Sequence, residues 1–493
     1  MNRGRVLGGS SALNFLCYDR AAAAEYDAWG ELGNEGWDWE VMRAGMVKSE
    51  NFTGTDDDLH GYEGPIRSTY NRFIPKYLET WLPALNEHDI PTNERSLSGD
   101  PIGVMFQTTN IDITHYTRSY AATAYAPLAG PNLDLWLETV VAKIDFGHRY
   151  GNGDLRASGV ILADGTKVKA RKEVILSAGS IGSPNLLELS GVGQAEVLEA
   201  AGIEQVFDLP GVGENYQDHI RTSNSYFVKE GYETGDPIIY DPQGEFAAEQ
   251  TELWLEGKPS WLDYTTVAYS FLNLEQVVGE DRASELVELA QAAHGDNATV
   301  VDKKKVELMG DASVPQIEMI LEANYVGAAP HPKKNLVTVF STLMHPLSRG
   351  NVHIDPEDPA GKPIINPNYL SNEFDIQTAV EGAKFAREVA NTEPLASIWE
   401  SEYQPGPEVQ TDEGWEEYVR NGMLSFYHPV GTCAMLPKED GGVVDSDLLV
   451  YGTRNLRIVD CSVMPTLLSA HIQTAAYGLA EVMAERIISE YEA

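Results

Sequence analysis

Val174-Ile175-Leu176-Ser177-Ala178-Gly179-Ser180-Ile181-Gly182-Ser183-Pro184-Asn185-Leu186-Leu187-Glu188-Leu189-Ser190-Gly191 reads as a buried strand, a glycine turn and a short helix. An aliphatic run bounded by turn residues makes the strand. Ser183 suits the helix N-cap, Pro184 its first position and Gly191 its close. Strand, turn and helix in that order belong to a layered α/β unit rather than an all-β domain. Just upstream, Val160-Ile161-Leu162, a turn at Asp164-Gly165 and a returning strand over residues 167–176 predict a hairpin running into that strand.

The α/β texture returns at the C-terminal end. Leu456-Arg457-Ile458-Val459-Asp460 reads as a short strand, followed by a turn through Pro465. A long helix is predicted over residues 472–491, with Ala475, Ala476, Leu479, Val482, Met483 and Ile487 on its buried side. From about residue 220 to 424 the chain is richer in aromatics, with an amphipathic helix over 285–293 and isolated strands over 317–321 and 337–340. Lys303-Lys304-Lys305 in that stretch reads as an exposed turn. Three regions are predicted, 1–220 and 425–493 forming one α/β domain and 221–424 mainly a substrate-facing one.

Bulk composition narrows the function by exclusion. Lys and Arg number 35 against 75 Asp and Glu, a formal charge of −40 that repels nucleic acid and anionic membrane. No apolar stretch approaches the roughly 18 residues of a membrane helix, so the chain reads as soluble. Cys17, Cys433 and Cys461 are too few for a disulfide framework and show no metal-ligand spacing, although one disulfide stays open. Met1-Asn2-Arg3-Gly4 has no apolar core of a signal peptide, and sequons stand at Asn51 and Asn297. Compartment therefore stays open between secreted and cytoplasmic, and nothing in the sequence speaks to oligomeric state.

Three segments look chemical. Gly4-Arg5-Val6-Leu7-Gly8-Gly9-Ser10-Ser11-Ala12-Leu13-Asn14 lets backbone approach a bulky polar ligand, or is simply a loop. The second is the 179–193 stretch with Leu209-Pro210-Gly211-Val212-Gly213-Glu214-Asn215-Tyr216-Gln217-Asp218-His219; its Gly211-Val212-Gly213 is a poor dinucleotide fingerprint, lacking a preceding strand and a third glycine. The third is Tyr427-His428-Pro429-Val430-Gly431-Thr432 with Asp460 and Ser469-Ala470-His471-Ile472-Gln473-Thr474. One histidine is commonly structural, whereas two near turns that flank one strand–helix unit point to chemistry. His471 precedes a helix N-terminus, whose free N–H groups and positive dipole end suit an anionic ring.

These segments resemble the glucose–methanol–choline (GMC) family of FAD-dependent oxidoreductases: the first two its signature patterns, the third its active-site segment. His345-Pro346-Leu347-Ser348-Arg349-Gly350 through Pro363-Ile364-Ile365-Asn366-Pro367 is similar to the start of the family's C-terminal region, so the resemblance runs nearly end to end. Within the family the chain looks most like fungal aryl-alcohol oxidases and dehydrogenases of secondary metabolism. The resemblance implies an FAD-binding Rossmann-like domain plus a substrate domain with an antiparallel sheet flanked by helices. It implies FAD contacts by Arg5, Gly9, Ser10, Asn14, Phe15, Leu16 and Cys17, by Val141 at the adenine, and by Asp460, Cys461, Gln473 and Thr474. His428 would be the general base and His471 would orient the substrate hydroxyl. A small-molecule alcohol, aromatic or polyketide-derived, would lose its proton to His428 and a hydride to flavin N5, with O₂ or another acceptor taking the electrons.

Family members begin with a strand, a G-x-G-x-x-G turn and a helix that hold the pyrophosphate. This sequence starts at the segment that follows that unit. The leading expectation is a sequence truncated at its start or lacking its first exon, ahead of a separate N-terminal chain and of lost redox activity. Two other function classes stand beside alcohol oxidation: a lyase or cyclase on the same scaffold, and a flavin-free relative. A serine hydrolase is disfavoured, since no Gly-x-Ser-x-Gly elbow is present.

Overall fold

A computed structural model describes residues 2–492 with the exception of 56, 152 and 294. Helix α1 (Trp39–Ser49) starts at Asp38, whose carboxylate accepts the Val41 amide. Strand β1 (Gly103–Phe106) precedes an antiparallel ribbon of β2 (Val141–Arg149), β3 (Leu155–Leu162) and β4 (Lys167–Lys169). The strand predicted over 167–176 is in fact two. β4 folds back on β3 through the Asp164-Gly165 turn, whereas β5 (Val174–Leu176) belongs elsewhere. Asn455 separates them: its Nδ2 donates to the Ala157 and Lys172 carbonyls and its Oδ1 accepts the Ala157 amide, taking groups that a continuous ladder would need.

Helix α2 (Gly179–Leu189) begins a turn earlier than the Ser183 cap predicts. Asp460 is the reason, since its Oδ2 accepts both the Gly179 amide (2.9 Å) and the Ser183 hydroxyl (2.6 Å). Pro184 therefore lies inside the helix and cannot donate to the Ser180 carbonyl; the Thr432 hydroxyl does so instead, at 2.7 Å. Gly191, with φ 82°, follows the helix end as predicted.

Next come β6 (Ile220–Val228), β7 (Ala268–Leu272) and helices α3 (Glu280–Ala292) and α4 (Val300–Met309). Lys303-Lys304-Lys305 is no exposed turn but part of α4. Helical rotation leaves Lys303 exposed, sets Lys304 between Glu31 and Glu307, and buries Lys305, whose Nζ donates to the Pro346 carbonyl at 2.6 Å. Further along, among other elements, lie β8 (Ile317–Glu322), β9 (Leu336–Leu343), α5 (Glu373–Ala390), β10 (Trp399–Gln404), β11 (Leu424–Ser425), β12 (Leu456–Ile458) and α6 (Gln473–Glu492).

Two layered units result, in agreement with the mixed α/β and α+β reading. In one, β5 and β12 pair in parallel and share a core with α1, α2 and α6. In the other, a seven-stranded antiparallel sheet runs β10-β6-β9-β8-β7-β1, with β11 added on β6. The strands predicted as isolated, β8 and β9, are its centre and pair with each other; their outer partners, β7 and β6, lie much further back in the chain, so that pairing leaves no local signal.

Register gives this sheet two distinct faces, because residues directly opposite on neighbouring strands point the same way. Ile220, Leu343, Ile317 and Leu272 lie on the face packed against α5. Arg221, Thr342, Glu318 and Phe271 lie on the other, as do Ser223, Phe340, Ile320 and Tyr269. The second face looks toward the two histidines. Among the described residues no helix is long and apolar enough to cross a membrane, and all three cysteines are free thiols, so the disulfide left open by the sequence does not form.

Candidate active site

His428 is delivered by a bent backbone. Tyr427 before it has φ 63°, a left-handed conformation uncommon for an aromatic residue. Asp218 holds this turn: Oδ1 accepts the His428 amide at 2.7 Å, and Oδ2 accepts the Ser425 hydroxyl at 2.6 Å and that of Tyr369. Burial pushes the Asp218 carboxyl up to about 6.

The His428 ring meets a third histidine, with Nδ1 2.8 Å from Nδ1 of the fully buried His219. One of the two nitrogens must carry the shared proton. His219 Nε2 is buried with no hydrogen-bond partner among the described residues. With the shared proton on His428, His219 Nδ1 is the acceptor and His428 Nδ1–H the donor, and a lone pair is left on His428 Nε2. Burial, with His471 and His219 close by, pulls His428 well below the ordinary histidine range, so it stays neutral.

His471 is the opposite case. Its amide and its Nδ1 both bond Asp19, at 3.0 and 2.9 Å, and Glu318 Oε1 stands 3.6 Å from the same Nδ1. Burial works to lower it, but Cys17, Glu318 and Asp19 outweigh that and raise it well above the ordinary value. Burial also pushes the Glu318 carboxyl up to about 7. The imidazoles of His428 and His471 lie 5.0 Å apart at 90°, each 5.2 Å from the ring of Phe426, with Tyr269 edge-on to His471. A neutral imidazole and a cationic one thus stand ring to ring.

The predicted cofactor residues fall into groups. Asn14 accepts Arg118 Nη1 at 2.6 Å and donates to Gln473 Oε1 at 2.7 Å, and Gln473 Nε2 donates to the Cys17 carbonyl and to Asn110. This network joins the 14–17 stretch to the start of α6, two residues after His471. Cys17 Sγ accepts the Tyr269 hydroxyl at 2.7 Å, Leu16 has φ 68°, and Phe15 is 67% exposed. Ser10 accepts the Gly4 amide, and Asp460 and Cys461 lie against α2, where burial pushes the Cys461 thiol up to about 12. Among the described residues, no hydrogen bond or ion pair ties the Arg5 side chain or that of Val141, which opens β2, to these groups.

The FAD that the sequence resemblance implies can be tested against this geometry. At Gly9 (φ 56°) and Gly179 (φ 76°) a Cβ would meet nothing within 4 Å, so both present open backbone. The Thr474 hydroxyl and Asn185 Nδ2 are buried without partners, and the first turn of α6 leaves amides free of intrahelical bonds. A large polar ligand is what such groups suit, and the residues present fit FAD.

Sequence reading misses His219, Asp19, Glu318, Asp218 and Phe426 as parts of this site. Asp218-His219 closes a segment already marked as chemical, a signal available in hindsight. Asp19 and Glu318 carry none, since they reach His471 only through the fold.

Comparison with known proteins agrees with this picture. The family model described as GMC oxidoreductase matches in two parts, residues 1–221 and 346–480. The GMC oxidoreductase family protein Mala s 12 of Malassezia sympodialis is 34% identical over 99% of this chain and 79% of its own length. An FAD-dependent oxidoreductase from Chaetomium thermophilum superposes with a TM-score of 0.88 at 28% identity, covering 99% of this chain and 87% of the other. A fungal aryl-alcohol oxidase does so at 0.85 and 30%, covering 100% and 87%.

Proposed function

Starting from the premise that this chain belongs to the GMC oxidoreductase family, we propose that it is an FAD-dependent enzyme oxidising an alcohol to an aldehyde or ketone. The alcohol is aromatic or polyketide-derived, and O₂ or another small acceptor completes the cycle. The observation that supports this most is the unequal histidine pair, with rings 5.0 Å apart and opposite protonation tendencies.

An alcohol is a poor hydride donor until its O–H proton starts to leave. His428 Nε2, unprotonated, accepts that proton, and His219 orients the ring through Nδ1. His471, held by Asp19, donates from Nε2 to the same oxygen and stabilises the negative charge that grows there. Phe426 and Tyr269 wall the space and keep water from competing. We assign cofactor contacts to Gly9, Asn14, Gly179, Gln473 and Thr474, and carry Arg5, Ser10, Phe15, Leu16, Cys17, Val141, Asp460 and Cys461 as further members. When bound, FAD supplies the two-electron acceptor for the α-hydrogen of the alcohol.

The test loads the chain with FAD and mixes it anaerobically with benzylic alcohols. The flavin absorbance bleaches and one aldehyde forms per flavin. His428→Ala keeps the bound flavin but slows bleaching by roughly 10²–10⁴-fold, the usual contribution of a general base. Bound flavin that stays oxidised against the whole alcohol panel overturns the proposal.

A further inference from the structure

On the sheet face that looks toward the histidines, β6 carries Arg221, two residues after His219 in the sequence. Arg221 is only 6% exposed. A buried guanidinium ordinarily has a carboxylate partner, because desolvating the charge alone is costly. Here none lies within ion-pair distance among the described residues. Nη1 donates to Ser223 Oγ at 2.5 Å and to the Val326 carbonyl at 3.3 Å, while Nε and Nη2 have no acceptor and are not sealed from solvent-accessible space.

Its orientation is fixed by aromatic rings. The guanidinium carbon lies 4.3 Å from the centre of Phe340 and 5.7 Å from that of Phe426. Phe426 is the ring in contact with both His428 and His471, so a single phenyl separates the guanidinium from the imidazole pair. Two glutamates share the sheet face with Arg221, and neither neutralises it by contact. Glu322 Oε2 accepts the Thr266 hydroxyl at 2.6 Å, and Glu318 faces His471. Burial pushes both carboxyls up to about 7, and it pulls the Arg221 guanidinium down only to about 10, so Arg221 remains charged at neutral pH.

We propose that Arg221 is a specificity residue that takes a carboxylate carried by the alcohol substrate, about one aromatic ring away from the hydroxyl held by His428 and His471. The inference rests on that pair being the reacting site. A planar guanidinium with two free donor positions matches the two oxygens of a carboxylate, which would supply the missing counter-charge. Neutral aromatic alcohols would leave the buried cation uncompensated.

The experiment uses the FAD-loaded chain with 3- and 4-(hydroxymethyl)benzoate, their methyl esters, and the non-reacting 4-methylbenzoate. For at least one ring isomer, kcat/KM for the acid exceeds that for its ester by roughly tenfold or more, the scale of a charged hydrogen bond. Arg221→Met lowers this acid-to-ester ratio by roughly 10–100-fold, mainly through KM, and Arg221→Lys by less. Calorimetric binding of 4-methylbenzoate is present in the wild type and lost in Arg221→Met. Equal use of acid and ester by the wild type overturns the inference, as does a ratio that Arg221→Met leaves unchanged. If Arg221→Met does not melt cooperatively, the wild-type ratio and Arg221→Lys decide. If no alcohol bleaches the flavin while 4-methylbenzoate binds in an Arg221-dependent way, the oxidation reading fails and the anion site stands.

Discussion

The three-histidine contact sets where activity falls on the acid side. Burial and two neighbouring imidazoles hold His428 below the ordinary histidine range, so a base is available at pH values where a free histidine is already protonated. The kcat/KM profile should therefore stay flat through about pH 6.5, the unperturbed value, and decline only below it. His219→Phe removes both the acceptor for His428 Nδ1–H and one neighbouring imidazole. His219→Gln, which removes the imidazole but keeps an acceptor oxygen that favours the protonated ring, should move the acid limb up, and His219→Phe, which loses that acceptor, should leave it lower than His219→Gln does. One and the same limb in the parent, His219→Gln and His219→Phe would show that His219 does not act on His428. At this scale His428 and His471 are legible, because each sits in a recognisable motif. Their difference in charge is not, since it arises from Asp19 and Glu318 on one ring and His219 on the other.

Between elements, α1 and α6 approach closely enough to require glycine. A Cβ on Gly45 would stand 2.4 Å from the Gly478 carbonyl oxygen and 2.9 Å from Val482 Cγ2, and one on Gly478 would stand 2.6 Å from Met46 Cγ. Gly45→Ala should force the helices apart at a cost of roughly 1–3 kcal/mol, typical of overpacking, and Gly45→Leu should cost more. Calorimetry would register this as a lower melting temperature, with activity falling alongside because α6 begins just after His471. An unchanged melting temperature in both variants would refute the close-packing argument. Helices of this kind are read well from period: 472–491 is predicted and 473–492 observed. Where the reading errs, a side chain from a distant segment has replaced a local rule. Asp460 caps α2 in place of Ser183, Asn455 splits the strand at 167–176, and Pro346 gives buried Lys305 its acceptor.

For the molecule as a whole, 35 basic against 75 acidic side chains leave a charge of −40 to be confined in one fold. Repulsion among like charges opposes the compact state, and salt screens it, the Debye length shrinking from about 30 Å at 0.01 M to about 3 Å at 1 M. The melting temperature should therefore rise over that range of sodium chloride. A fall would mean that ion pairs such as Arg95–Asp58 outweigh the repulsion. The two-layer architecture is legible in composition and period, but the order of the large sheet is not, because only β8 and β9 pair across a short connection, whereas β6, β7 and β1 find their partners after long excursions. The bond from Asp19 to His471 spans 452 positions of sequence and has a consequence in time. A ribosome adds roughly 5–20 residues per second, so Asp19 has been outside the tunnel for tens of seconds before its histidine is made. Until then the pocket around the two histidines cannot close, whatever local helices and hairpins have already formed.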